Sequence, residues 1–265
     1  MPAIGQETGS TFLEADILNP VIFAKMRGEQ LHDDVDANAL VVPVRNKLKP
    51  HFRVLAKYPE RSRTGKGESN ETHTKAIDFL LRRLKSNTRV ALTTYVFGES
   101  IEVQTIYKTP KPTEEVPGYH WWSEARIPVD STHYIQPDIC GRGNADFMPN
   151  RRAPGIIIEV IQTHYPDEAT FIHLLALSRR NFFVLFYFVR IDARGSKFSG
   201  VDSAIPGLLQ IRSAYWLDNG VFFKNGEAMP GNGKPEAQWY REICALYFDK
   251  AMASKNQIPP KATSS

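Results

Sequence analysis

A glutamate in the middle of an isoleucine run constrains this chain more than any other feature. Gly155-Ile156-Ile157-Ile158-Glu159-Val160-Ile161 has the length and β-branched content of a buried strand. Phe182 to Val189 is almost wholly apolar, as a strand covered on both faces must be. Between them, Asp167 to Arg180 carries Phe171, Leu174, Leu175 and Leu177 on one helical side. Strand, helix, strand is a crossover unit, which predicts two parallel neighbours in one sheet. A carboxylate at the centre of such a unit costs several kcal/mol unless a cation or hydrogen-bond donors meet it. Upstream, Asp138 in Gln136-Pro137-Asp138-Ile139 poses the same problem within a stretch, Thr132 to Cys140, that reads as a strand. Two neighbouring carboxylates also repel each other. A divalent ion held between them offsets both costs.

The flanks read more simply. Leu13 to Met26 predicts a short helix, interrupted at Pro20, and Ala39 to Val44 and His51 to Tyr58 predict strands. Asn70 is positioned to cap a helix over Glu71 to Lys85, whose Ile77, Leu80, Leu81 and Leu84 fall at helical spacing. Thr88 to Phe97 and Ser100 to Tyr107 predict a hairpin across Gly98-Glu99, and Lys108 to Gly118, with three prolines, predicts a loop. Gly141 to Gly155 is a glycine-, asparagine- and arginine-rich loop in this reading. Asn219-Gly220 supplies the positive φ of a tight turn between Trp216 and Phe223, and Pro235 to Met252 predicts a helix. The organisation expected is a small β-containing module over residues 1–60, an α/β core over 68–190, a hairpin and helix extension over 191–253, and a disordered tail over 254–265.

Composition narrows the class. In 265 residues, 42% are hydrophobic, enough for a sizeable core. The net charge of +4 permits a nucleic-acid partner without requiring one. Two isolated cysteines, Cys140 and Cys244, make neither a disulfide framework nor a Cys-x-x-Cys knuckle, so a reducing, cytoplasmic setting is expected. No apolar run approaches a membrane span, and Met1 to Glu14 lacks the pattern of a secretory leader, so no membrane partner is expected. A homo-oligomer is compatible with the sequence.

The order of these features resembles the PD-(D/E)XK nuclease superfamily: an acid in a first helix, Pro-Asp ending one strand, Glu at the centre of an Ile-rich next strand, then helix and strand. The closer resemblance is to competence protein CoiA-like nucleases. Their helix carries Ser-Glu-x-His followed by Lys, which Ser69-Asn70-Glu71-Thr72-His73-Thr74-Lys75 resembles with one residue inserted. Their core strand pattern of Ile-Glu-x-Gln or Ile-Glu-x-x-x-Thr-His resembles Ile158-Glu159-Val160-Ile161-Gln162-Thr163-His164. Lys49-Pro50-His51-Phe52-Arg53 is similar to the His-Phe-x-His segment that precedes their nuclease helix. The resemblance covers about residues 45 to 190. It implies a restriction-endonuclease-like α/β core with a mixed central sheet flanked by helices, plus small N- and C-terminal additions. It also implies a Mg²⁺- or Mn²⁺-dependent nuclease, acting on a nucleic acid and preferentially DNA, with Glu71, Asp138 and Glu159 as metal ligands.

Two departures qualify the resemblance. The family's lysine two residues after the strand Glu falls on Ile161, so Gln162 or Lys75 would have to position the attacking water. The Cys-x-x-Cys before His-Phe-x-His is missing, and Val54 stands where its second His would be. Glu71 and Lys75, four apart, share one helical face, and that face is expected at the metal; the bland alternative is an exposed ion pair. His73 lies off it and is read as a partly exposed histidine. His164 would orient a ligand, bind phosphate or cap the strand. Arg142, Arg151 and Arg152, in the loop between the acid-bearing strands, are expected to meet a phosphate backbone or to be solvated. Trp121 and Trp122 are read as core, and for Glu159 the competing partner is an arginine such as Arg179 or Arg180. The alternative function is a nuclease-fold module without catalysis that binds nucleic acid or protein.

Overall fold

The computed structural model describes the chain apart from residues 1, 6–7, 36–38, 57–61, 66–69, 88, 97–98, 108–118, 131–132, 144–148, 152, 191–194, 203–204 and 255–265. The Lys108–Gly118 loop, Arg152 and nearly all of the expected tail therefore lie outside the described residues. The chain forms two compact units, Met1–Thr64 with Ala125–Gln136, and Gly65–Glu124 with Pro137–Ser265.

The first unit opens with β1 (Ala3–Gly5), β2 (Thr11–Phe12), a 3-10 turn (Glu14–Leu18), α1 (Pro20–Gly28), β3 (Leu31–Asp33), β4 (Leu40–Val44), β5 (His51–Ala56) and β6 (Ser62–Arg63). Pro20 does not interrupt α1. It begins it, where its missing N–H costs nothing, and Asn19 caps the amides of Val21 and Ile22. A five-stranded sheet ordered β2-β1-β3-β4-β5 closes over Ala3, Phe12, Ile17, Met26, Leu31, Val41 and Phe52.

The second unit begins with α2 (Glu71–Ser86), β7 (Arg89–Val96), β8 (Glu99–Tyr107) and β9 (Tyr119–Ser123). The chain then returns to the first unit for β10 (Ile127–Pro128) and β11 (His133–Ile135), which pairs with β6. It re-enters the second with β12 (Ile139–Gly143), β13 (Gly155–Ile161), α3 (Glu168–Ser178) and β14 (Phe182–Phe188). Thus the stretch Thr132–Cys140 is not one strand. It divides at Gln136-Pro137-Asp138, where proline cannot donate to a ladder, and Asp138 precedes a strand rather than ending one. Residues 125–136, expected in the core, group with the N-terminal strands instead.

The remaining elements are β15 (Ser199–Asp202), β16 (Leu208–Ser213), β17 (Tyr215–Asp218), β18 (Val221–Lys224), β19 (Glu227–Met229), α4 (Glu236–Ile243) and α5 (Asp249–Ser254), with a π-helical turn at Cys244–Phe248. These do not make an extension. β17 and β18 join a seven-stranded mixed sheet ordered β19-β18-β17-β14-β13-β12-β9, and β15 and β16 join a second sheet ordered β15-β16-β7-β8.

In the large sheet, β9, β12 and β13 run antiparallel and β14 runs parallel to β13, as the crossover through α3 requires. Side-chain alternation gives the sheet two buried faces. Ile156, Ile158 and Val160 pack with Leu185 and Tyr187 against Leu80 and Leu84 of α2, and Leu209 and Ile211 of the second sheet join this core. On the other face Phe186 stacks on Phe171 of α3 and meets Phe248 edge-on. Both faces being covered explains why Phe182–Phe188 is buried at every position. Among the described residues, no helix is long and apolar enough to cross a membrane.

Candidate functional site

The candidate site lies where β12 begins beside the C-terminal half of β13. Ile139 pairs with Ile158, Cys140 with Ile157 and Gly141 with Ile156. One step beyond the last pair, the same antiparallel register brings Asp138 level with Glu159. Strands in a sheet lie about 4.8 Å apart, so the register sets the two acids on neighbouring strands. Glu159 is half-buried, and its charge acts on Cys140, whose thiol burial pushes up to about 12.

Pro137 accounts for one part of the backbone pattern around Asp138, the Val160 carbonyl that finds no ladder N–H. Gly155 donates to Asn181 and Val189 donates to Ile161, so odd-numbered residues of β13 direct their amides and carbonyls toward β14. Even-numbered residues therefore face β12, and the residue level with Val160 is Pro137, which has no N–H. The His73 ring meets that carbonyl, and the Asp138 carboxylate meets the Val160 amide. Val160 N–H donates to Asp138 Oδ2 at 2.8 Å, and His73 Nε2 lies 2.9 Å from the Val160 carbonyl and 3.2 Å from Asp138 Oδ2. Among the described residues Asp138 Oδ1 accepts no hydrogen bond, and the Asp138 side chain is 17% exposed.

α2 therefore presents His73 to this corner. His73 is buried, not partly exposed. It lies on the stripe that continues through Ala76, Ile77, Leu80 and Leu84, all buried. The signal was in the spacing, since His73 precedes Ile77 by four residues. Asn70 caps the helix by accepting from His73 N–H at 2.9 Å.

Glu71 and Lys75 lie on a different, exposed face of α2 from His73. Two residues from His73 in either direction is most of half a turn around a helix. They pair with each other in solvent, and Lys75 holds the Glu71 carboxyl below its usual range. Ile161 pairs with Phe188 and is buried. Gln162 is buried behind it, whereas His164 is exposed with its Nδ1 2.8 Å from Thr163 Oγ1.

The basic loop sits at the other end of β13. Arg142 belongs to β12 and Gly141 already pairs with Ile156, so the loop leaves β12 near Gly155. Four residues of strand, about 13 Å, separate Gly155 from Glu159. Arg151 is exposed near Asp218, whose carboxyl burial pushes up despite that charge. Arg179 pairs with Glu236 at 2.8 Å. Trp121 and Trp122 are buried.

Among the described residues, no three His, Cys, Asp or Glu side chains converge so as to hold a metal ion by themselves. Alternation puts Glu159 on the face of its partner Phe186, which packs on α3, whereas Asp138 Oδ2 meets His73 from the α2 side. Comparison with protein-family models, with curated proteins and with solved structures returns no match.

Proposed function

We propose that the second unit is a metal-dependent nuclease module in which Asp138 and Glu159 are the protein ligands of a Mg²⁺ or Mn²⁺ ion and DNA is the substrate. The observation that carries this reading is the register of β12 on β13, which brings Asp138 level with Glu159. The acid-bearing strand β13 is followed by α3 and the parallel strand β14, the helix and strand that the resemblance to PD-(D/E)XK nucleases expects after the Glu. When bound, such an ion lowers the pKa of a ligand water and stabilises charge on a phosphoryl group. Asp138 would contribute Oδ1, its other oxygen being held by Val160 and His73. Glu159 would contribute a carboxylate from a half-buried position, where its field is less screened than at an open surface.

A second reading has its own observation. Ile161, where the resemblance places a lysine, is buried against apolar neighbours, and Lys75 is paired with Glu71 in solvent. A nuclease-fold module that binds nucleic acid without cutting it fits that arrangement.

The test is cleavage of plasmid and single-stranded DNA with Mg²⁺ or Mn²⁺ by the wild type, Asp138→Ala and Glu159→Ala. Loss of cleavage in both variants supports the nuclease. Cleavage unchanged in both removes it. No metal uptake by calorimetry, together with DNA binding that weakens with salt, selects the binding module.

A further inference from the structure

We propose that the solvent face of α2 binds single-stranded DNA, with phosphates on Arg82, Arg83, Lys85 and Arg89 and a base against the ring of Phe79. DNA as the partner rests on the reading above, whereas the surface itself lies on the side of α2 away from His73 and needs no metal ion.

α2 is divided by its own periodicity. His73, Ala76, Ile77, Leu80 and Leu84 turn inward and are buried. Phe79 turns outward and is 38% exposed, more than any other phenylalanine, tyrosine or tryptophan among the described residues. A lone apolar side chain in water is common and calls for no partner. This ring is not alone. From Phe79 to Arg89 the sequence holds four cations and no acid, as much positive charge as the net +4 of the whole chain. Arg82, Lys85 and Arg89 are exposed, and Arg83 is half-buried.

Arg82 and Arg83 follow Phe79 at the two spacings that make neighbours on a helix surface. The Arg83 guanidinium carbon stands 5.6 Å from the centroid of the Phe79 ring, a cation beside a π face. Arg82 Nε donates to the Asp78 carbonyl at 3.3 Å. Among the described residues neither guanidinium meets a carboxylate. β7 begins at Arg89, just beyond the end of α2, and adds a further cation.

Cations in a last turn complement the helix dipole, which accounts for Arg83 and Lys85. It does not account for an exposed aromatic ring among them. Single-stranded DNA matches both features, because its phosphates pair with the cations and each of its bases offers a π face to an aromatic side chain. A duplex offers phosphates with its bases stacked on one another, and an acidic peptide offers carboxylates without bases.

The test is fluorescence anisotropy of labelled oligo(dT) with the full chain in EDTA, so that binding is read without cleavage, over about 50 to 200 mM salt. Circular dichroism establishes folding of Phe79→Leu, Phe79→Tyr and the double variant Arg82→Gln/Arg83→Gln. Phe79→Leu is expected to bind about 5- to 100-fold more weakly, and Phe79→Tyr within about threefold of wild type. The double variant is expected to lower the slope of log affinity against log salt by about 1.4, or about 0.7 for each lost cation. Duplex DNA of the same length should bind Phe79→Leu as it binds the wild type, and an equal loss on duplex overturns the stacking role. Should Phe79→Leu fail to fold, the arginine variant decides. A wild type that binds no oligo(dT), or folded Phe79→Leu and arginine variants that bind it as the wild type does, overturns the proposal. Polyglutamate bound as tightly as oligo(dT) overturns it in favour of an acidic protein partner. Cleavage that depends on Asp138 and Glu159, in a protein whose Phe79 and arginine variants bind normally, leaves the nuclease reading standing and removes this one.

Discussion

Val160 donates its backbone N–H to the carboxylate of Asp138 at 2.8 Å, across the point where the β12–β13 ladder ends. Asp138→Ala leaves that buried amide without its acceptor, a loss of about 1–3 kcal/mol. Asp138→Asn retains an acceptor oxygen and is expected to lose less. The urea midpoint should fall in the order wild type, Asn, Ala. Mn²⁺ affinity should fall in both variants, because both remove the charge. A wild-type midpoint in Asp138→Ala would show that the bond contributes nothing to the fold.

Glu71 and Lys75 give the opposite expectation. They pair with each other on the solvent side of α2, so Glu71→Gln and Lys75→Met should match the wild type in both urea midpoint and Mn²⁺ titration. Loss of DNA cleavage in Lys75→Met alone would bring that face of the helix into the reaction.

The contrast between these two faces shows what could be read from the sequence. Helical spacing located α2 and its apolar stripe, the uniform apolarity of Phe182–Phe188 located a doubly covered strand, and Asn219-Gly220 located a turn with both residues at positive φ. Glu159 stood out because charge in an apolar strand demands a partner, and it lies within β13 as its surroundings indicated. The burial of His73 was not legible, because a polar residue on an apolar stripe invites an exposed reading until its acceptors are known, and those lie far along the chain, just before β12 and on β13. The division of Thr132–Cys140 was hidden for a related reason. Its alternation continues through Pro137, and only the partner strands show that the two halves serve different sheets. The parallel pairing of β16 with β7 left no local trace either.

Ile161→Lys tests whether a lysine can be restored at the position where the resemblance expects one. Ile161 and its neighbour Phe188 are both buried, so an ammonium there has apolar surroundings. The variant should lose more than about 3 kcal/mol in urea unfolding, as buried unpaired charges do, and gain no cleavage. A stable variant with increased cleavage would show that the lysine reaches the acids.

Burial pushes the Cys140 thiol from 9.0 to about 12, opposed by Arg142 and reinforced by Glu159. The folded value is the raised one. The contribution to stability is therefore complete below pH 9, where neither state has lost the proton, and disappears as pH rises toward 12. The wild-type urea midpoint should fall over that window more steeply than that of Cys140→Ala. At pH 8, iodoacetamide should label neither Cys140 nor Cys244 in the folded protein, both being buried with raised thiol values, and should label both in urea. Rapid labelling of folded Cys140 would contradict its burial.

The parallel pairing of Arg89–Thr93 with Leu208–Arg212 has a consequence for synthesis on the ribosome. Leu80, Leu84, Val90 and Leu92 share one core with Leu209 and Ile211, so the first half of this unit has no complete interior until β16 has emerged. Nascent chains stalled before residue 208 present an apolar helix face and an open strand edge together, the combination that recruits chaperones and seeds association.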